Sequence, residues 1–330
     1  SLLAVSLSVY EQKRMQRTRA ILPCMLLAVA GMSMLPRVID AGHVNSGGDR
    51  FQVRFEHESL YGWVRVVDEP ARDLRLLMSD ASAIGAARIS DGVNQLTYQE
   101  IAKLIPALVP GIRRALLVGQ GAGHMAMTLR DRYGITTDTI EIDPVVAEAA
   151  TGYFGFVPTG EARIGDARYE VRRLRGPYDL VILDCFTGGS EPAHLLTVEA
   201  LAQLRALMSE RAILALNFVA MTDKGHDAAL ASVARTLAQV FEHQQVFVSE
   251  PGRDLNDFIF LASFHPLDLD TPALDHGQVA WLKNRRIEVD ASEGVPLTDN
   301  LNPLEHLQVR KAEHYRGLQV QWFGTDQLSP

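Results

Sequence analysis

Cysteine is scarce in this chain. Cys24 and Cys185 are the two among 330 residues, which argues against a disulfide framework. The ten histidines lack metal-ligand spacing, so no metal site is expected. Basic residues are in deficit: 32 Lys and Arg stand against 40 Asp and Glu, a formal net charge of −8. That balance argues against nucleic acid as a general partner and is compatible with a cationic substrate. The arginines at Arg172, Arg173 and Arg175 read as solvated faces. Internal repeats and low-complexity tracts are absent. An apolar run of full membrane-spanning length is also missing: the uncharged stretch 20–35 has 16 residues, where about 20 are needed.

What the chain does have is concentrated between positions 115 and 186. An apolar run at 115–118 leads into a turn of alternating glycines, Gly119, Gly121 and Gly123, and 125–133 reads as the helix that follows. Glycines at alternate positions let the backbone turn tightly and approach a ligand, because no Cβ intervenes. The dinucleotide pattern G-x-G-x-x-G requires glycine where His124 stands; the G-x-G-x-G found here is a nucleoside-binding pattern. Glu141 lies 22 residues beyond Gly119, at the end of a strand-like segment, where an acid can accept the ribose hydroxyls. Asp143 is the alternative ligand, although Asp143-Pro144 reads better as a helix start. Asp166 falls where a third strand ends and can accept from an adenine amino group. Asp184 ends the apolar run 180–183, which has the composition of a central parallel strand buried on both faces. A carboxylate placed there can take a proton from an incoming amine; the bland alternative is that it caps the next segment. The small-residue run 186–190 reads as a loop able to close over a substrate. Cys185 reads as a small apolar residue at a strand end rather than as a nucleophile.

Around this block, 43–50 is a polar linker and 51–78 alternates as antiparallel strands about a turn near Glu69-Pro70. A helix is expected over 98–108, then strand and helix alternate from Arg113, implying right-handed parallel crossovers. Helices are expected at 197–208 and 227–241, a buried strand at 212–218, and a terminal strand pair at 244–249 and 257–263. After Pro266 the chain is mixed, with a helical piece near 279–283. The fold class expected is α/β: a doubly wound, mostly parallel Rossmann-like sheet of methyltransferase type, with a small N-terminal antiparallel β domain. The expected divisions are 1–45, 46–108, 109–265 and 266–330.

The order of these motifs resembles the spermidine synthase-like aminopropyltransferase family, in its membrane-linked branch, over roughly 55–264 plus a tail motif. The carrying segments are His57-Glu58-Ser59-Leu60-Tyr61-Gly62, Tyr98-Gln99-Glu100, 119–123, Glu141-Ile142-Asp143, Gly165-Asp166-Ala167, Leu183-Asp184, His194-Leu195-Leu196-Thr197 and Leu297-Thr298-Asp299-Asn300. The resemblance implies catalysis by Asp184 with Tyr98, and cofactor binding by Gly119, Gln120, Gly121, Gly123, Glu141, Asp166, Ala167 and Gln99. It implies decarboxylated S-adenosylmethionine or S-adenosylmethionine as co-substrate, no metal, a small-molecule amine as partner, no nucleic acid, and a homodimer. Two aspartates of the family's amine-binding set are replaced, by Ala122 and Thr187. Each lost carboxylate removes a charge-assisted hydrogen bond of about 1.5–3 kcal/mol. The first functional expectation is therefore aminopropyl transfer; a methyltransferase on the same scaffold and a non-catalytic adenosyl-binding module are the alternatives.

The segment 20–35 follows Lys13, Arg14, Arg17 and Arg19 and precedes Ala41-Gly42, which fits a signal segment. Membrane association or export through 20–35 is expected. The positive-inside rule would send the large domain outward, whereas adenosyl cofactors are expected inside, so the side of the membrane stays open.

Overall fold

The computed structural model describes residues 51–80, 82–186, 191–222 and 227–323. The apolar run 20–35, the linker 43–50, Cys24, Thr187 and the rest of the small-residue loop to 190 lie outside them.

Alternating apolar positions build a first, antiparallel sheet in simple meander order: β1 (Gln52–Ser59), β2 (Gly62–Glu69), β3 (Leu74–Ser79) and β4 (Ser82–Arg88). Its inward face carries Val64, Val66, Leu77 and Ala87. These pack on Ala122 of the glycine turn and on Val145, Val146 and Ala149 of the helix Pro144–Phe154.

The central sheet contains β5 (Arg114–Val118), β6 (Thr136–Glu141), β7 (Ala162–Ile164), β8 (Tyr178–Leu183), β9 (Met208–Met221), β10 (His243–Val248), β11 (Leu255–Ser263) and β12 (Arg286–Ile287). Their order is β12-β10-β11-β9-β8-β5-β6-β7. The pairs from β9 to β7 are parallel, and those from β9 to β12 antiparallel. The protein is thus an α/β fold with a mixed, mostly parallel sheet and a small antiparallel sheet before it. Strands buried on both faces need apolar side chains at every position. In β5 and β8, Leu116, Val118, Val181 and Leu183 enter one core, while Ala115, Leu117, Leu180 and Ile182 enter the other.

Several boundaries differ from those read in the sequence. The segment 98–108 is two short helices, Tyr98–Ala102 and Ile105–Leu108, because Pro106 has no N–H to donate and instead opens a new turn. The strand expected at 212–218 extends in both directions to become β9, so the preceding helix ends at Arg205. The tail after 266 contributes the helix His276–Lys283, with a full capping box from Asp275 and Gln278, and the edge strand β12. Among the described residues no helix is long and apolar enough to cross a membrane.

Candidate active site

The glycine turn leaves β5 with φ of 87° at Gly119, 52° at Gly121 and 79° at Gly123, a region that disfavours side chains. Space forbids them as well. A Cβ on Gly119 would stand 2.1 Å from the Asp184 carbonyl oxygen, and one on Gly123 would stand 2.2 Å from the Phe156 ring. The turn is thereby pressed against the end of β8.

Glu141, at the end of β6, is 7% exposed. One carboxylate oxygen accepts from the backbone N–H of Gln120 (3.1 Å) and Gly121 (3.2 Å), and the other from that of Asp143 (3.1 Å). Burial pushes its pKa up, opposed by those three amides. A carboxylate has about four acceptor positions. Three are taken by backbone, so in this arrangement Glu141 offers one position to a ribose hydroxyl rather than two. Asp143 is committed elsewhere: it accepts from Val145 N–H at 2.8 Å as the N-cap before Pro144 and from the Ser59 hydroxyl at 2.6 Å. Gln120 accepts from the Thr139 hydroxyl at 3.3 Å. Asp166 caps the short helix Ala167–Glu170 through Tyr169 N–H and lies 3.1 Å from His194 Nε2, with 43% of its side chain exposed. The Ala167 methyl is buried in the core, leaving its backbone as what it can offer.

Alternation along β8, β9 and β11 puts Asp184, Asn217 and Asp257 on the sheet face that carries Ile182, Ala215 and Ile259. The segment 98–108 covers this face. Tyr98 donates its hydroxyl proton to Asp184 Oδ2 at 2.7 Å, and Gln99 Nε2 donates to the Tyr98 oxygen at 3.3 Å. Asn217 Nδ2 donates to Asp184 Oδ1 at 2.9 Å and reaches Asp257 Oδ1 at 3.4 Å. Asp184 is pushed up by burial and held back by Asn217 and Tyr98. Asp257 is pushed up to about 7, first by burial and then by the charge of Asp184. Burial and the nearby Asp184 also raise the Tyr98 phenol well above its usual value, so it acts as a donor. The Cys185 thiol is raised by burial and by the charges of Glu141, Asp184 and Asp166, which keeps it protonated. Glu141, at the end of β6, and Asp166 and Asp184, just after β7 and β8, therefore lie at the same, carboxyl edge of the parallel strands.

The site also contains Asn217 and Asp257, which no motif of the sequence marks. A signal was available: Asn217 is a polar residue inside the apolar run Ala212–Met221, and Asp257 opens another such run. Neither says which other strand it faces; the register of β9 against β11 does.

No family model matches the chain. Among curated proteins it is similar to the N-terminal histidine N-methyltransferase of Emericella nidulans, 28% identical over 278 residues, which is 73% of this chain and 48% of the relative. It is also similar to the polyamine aminopropyltransferase of Vibrio vulnificus, 39% identical over 114 residues, 33% of this chain and 38% of the relative. The chain spans less than half the length of these relatives. Among solved structures, a probable spermidine synthase from Corynebacterium glutamicum matches with TM-score 0.60 at 19% identity, covering 75% of this chain and 97% of that one. A spermidine synthase in complex with the transition-state analogue AdoDATO matches with TM-score 0.53 at 18% identity, covering 81% and 88%. The likeness to spermidine synthase-like proteins thus extends over both sequence and fold.

Proposed function

We propose that the chain is a spermidine synthase-like transferase that moves a carbon group from an adenosyl sulfonium compound to an amine nitrogen. The observation that carries this reading is the Tyr98–Asp184–Asn217–Asp257 cluster, two partly buried carboxylates held by a phenol and an amide, directly beside a glycine turn suited to a nucleoside. The amine lone pair attacks the carbon beside the sulfonium, the carbon–sulfur bond breaks, and its electron pair leaves with the thioether. The proton lost by nitrogen passes to Asp184, whose raised pKa makes it a better base than a solvated aspartate. Tyr98 and Asn217 hold that carboxylate in place. Glu141 and Asp166 take the nucleoside, and the rest of the work is alignment.

With decarboxylated S-adenosylmethionine the group moved is aminopropyl. One observation favours methyl transfer from S-adenosylmethionine as a second reading. Ala122 is 3% exposed and packed among Val64, Val66 and Leu77, so no carboxylate stands there to hold an aminopropyl ammonium. The similarity to an N-methyltransferase over 73% of the chain points the same way. Divisions at 46–108, 109–265 and 266–330, and anchoring through 20–35 as in a membrane-linked branch, belong to the same proposal.

Calorimetric titration of the full chain with S-adenosylmethionine, its decarboxylated form and 5′-methylthioadenosine tests it. Tighter binding of the decarboxylated form means aminopropyl transfer; tighter binding of the carboxylated form means methyl transfer. Binding of none of the three removes the transferase reading.

A further inference from the structure

Two buried side-chain oxygens at the Asp184 cluster accept a hydrogen bond from nothing described. Gln99 is 6% exposed, and its Oε1 is buried with no partner among the described residues. Its orientation is set, because Nε2 faces the Tyr98 oxygen, whose own proton goes to Asp184. Asn217 Oδ1 is likewise buried without a partner, and its Nδ2 is held between the two carboxylates. Asp184 and Asp257 form no ion pair with a described Lys or Arg. The other acids nearby are already matched: Glu191 is paired with Lys311, and Glu250 with Arg253. The two carboxylates, bridged by Asn217 Nδ2, thus form no ion pair with a described cation, and two carboxamide oxygens of the same cluster accept from nothing described. An ammonium, with three N–H donors and one positive charge, is the complement of that set.

We propose that Asp257 is the residue that selects a cationic acceptor, forming with Asp184 a paired-carboxylate seat for a primary ammonium. This rests on the transfer reading for its purpose, but not for its test. Two like charges beside one amide cannot both ionise freely, so near neutral pH Asp257 is still partly protonated. The groups that face Asp257 and shape its titration are Asp184, Glu191, Glu250, Lys311, Tyr98 and Tyr315. An arriving ammonium favours the ionised form of Asp257 and so releases that proton to solvent.

The test is calorimetry on the full chain at pH 7, with and without saturating 5′-methylthioadenosine, in two buffers of different ionisation enthalpy. The amine probes are putrescine and a peptide beginning with histidine. At least one amine binds with proton release. Asp257→Asn weakens that binding about tenfold or more, the loss of one charge-assisted contact, and abolishes the proton release. Affinity for 5′-methylthioadenosine stays within about twofold of wild type, and Asp257→Glu restores part of the amine binding. Unchanged amine binding in Asp257→Asn overturns the proposal, as does the failure of both amines to bind in either condition. Failure of the nucleoside alone overturns the transfer reading instead, and leaves the amine titration to decide the seat.

Discussion

A base that must deprotonate an amine gains from burial so long as burial does not strip its hydrogen bonds. Asp184 keeps two, from Tyr98 and Asn217. Asp184→Asn is expected to lower turnover by about 10²–10⁴-fold, with nucleoside affinity unchanged in the same calorimetric assay. A parallel loss of affinity would make Asp184 a cofactor ligand. Asp257 also has a consequence for stability. Its folded pKa of about 7 lies above the unfolded value of 3.8, so between those values the folded state holds the extra proton. Stability therefore falls as pH rises through that window, by at most about 1.4 kcal/mol per pH unit, and levels off above it. Urea unfolding at pH 5 and pH 8 should show wild type losing more stability between the two than Asp257→Asn does. At this scale the placement of the glycine turn and of Glu141, Asp166 and Asp184 at strand ends was legible, because strand ends and turns announce themselves locally. Asn217 and Asp257 were not, since what brings them together is pairing between strands 40 residues apart.

Among the elements, the C-terminal helix Val309–Phe323 is attached through an ion pair deep inside the protein. Lys311 is 2% exposed and donates to Glu191, 3% exposed, and to the Val219 carbonyl on β9 at 2.9 Å. Its ammonium also lies 5.3 Å from the Phe186 ring and 5.4 Å from that of Phe218. Removing one partner of such a pair leaves the other buried and unmatched. Lys311→Ala is expected to cost about 3–5 kcal/mol in urea unfolding, and the double change Lys311→Met with Glu191→Gln clearly less. Nothing in the local sequence marks this lysine as buried. It sits in a polar stretch, and its partner is 120 residues away. Helix starts were read more easily. Asp143, Thr197 and Asp227 all cap the helices that follow them, because capping is a matter of neighbouring residues.

For the molecule as a whole, the alternation of apolar strand and amphipathic helix foretold the parallel half of the sheet. The antiparallel half was read only as a terminal strand pair. Its closure by β12 is not legible in the sequence, because two residues, Arg286 and Ile287, give no periodic pattern. If the nucleoside binds the folded chain alone, 5′-methylthioadenosine at a hundredfold excess over its Kd should add about 2.7 kcal/mol of stability. A thermal-shift series over concentration measures this, and a flat series counts against the site. A more local effect follows from Gly119, whose bare α-carbon lets the turn lie directly against the backbone that carries Asp184. Whatever settles into that turn leans on the base across a single layer of atoms. Donor and acceptor should therefore sense each other's presence, so that loading one compound alters the grip on its co-reactant, and kinetics should report a preferred sequence of addition.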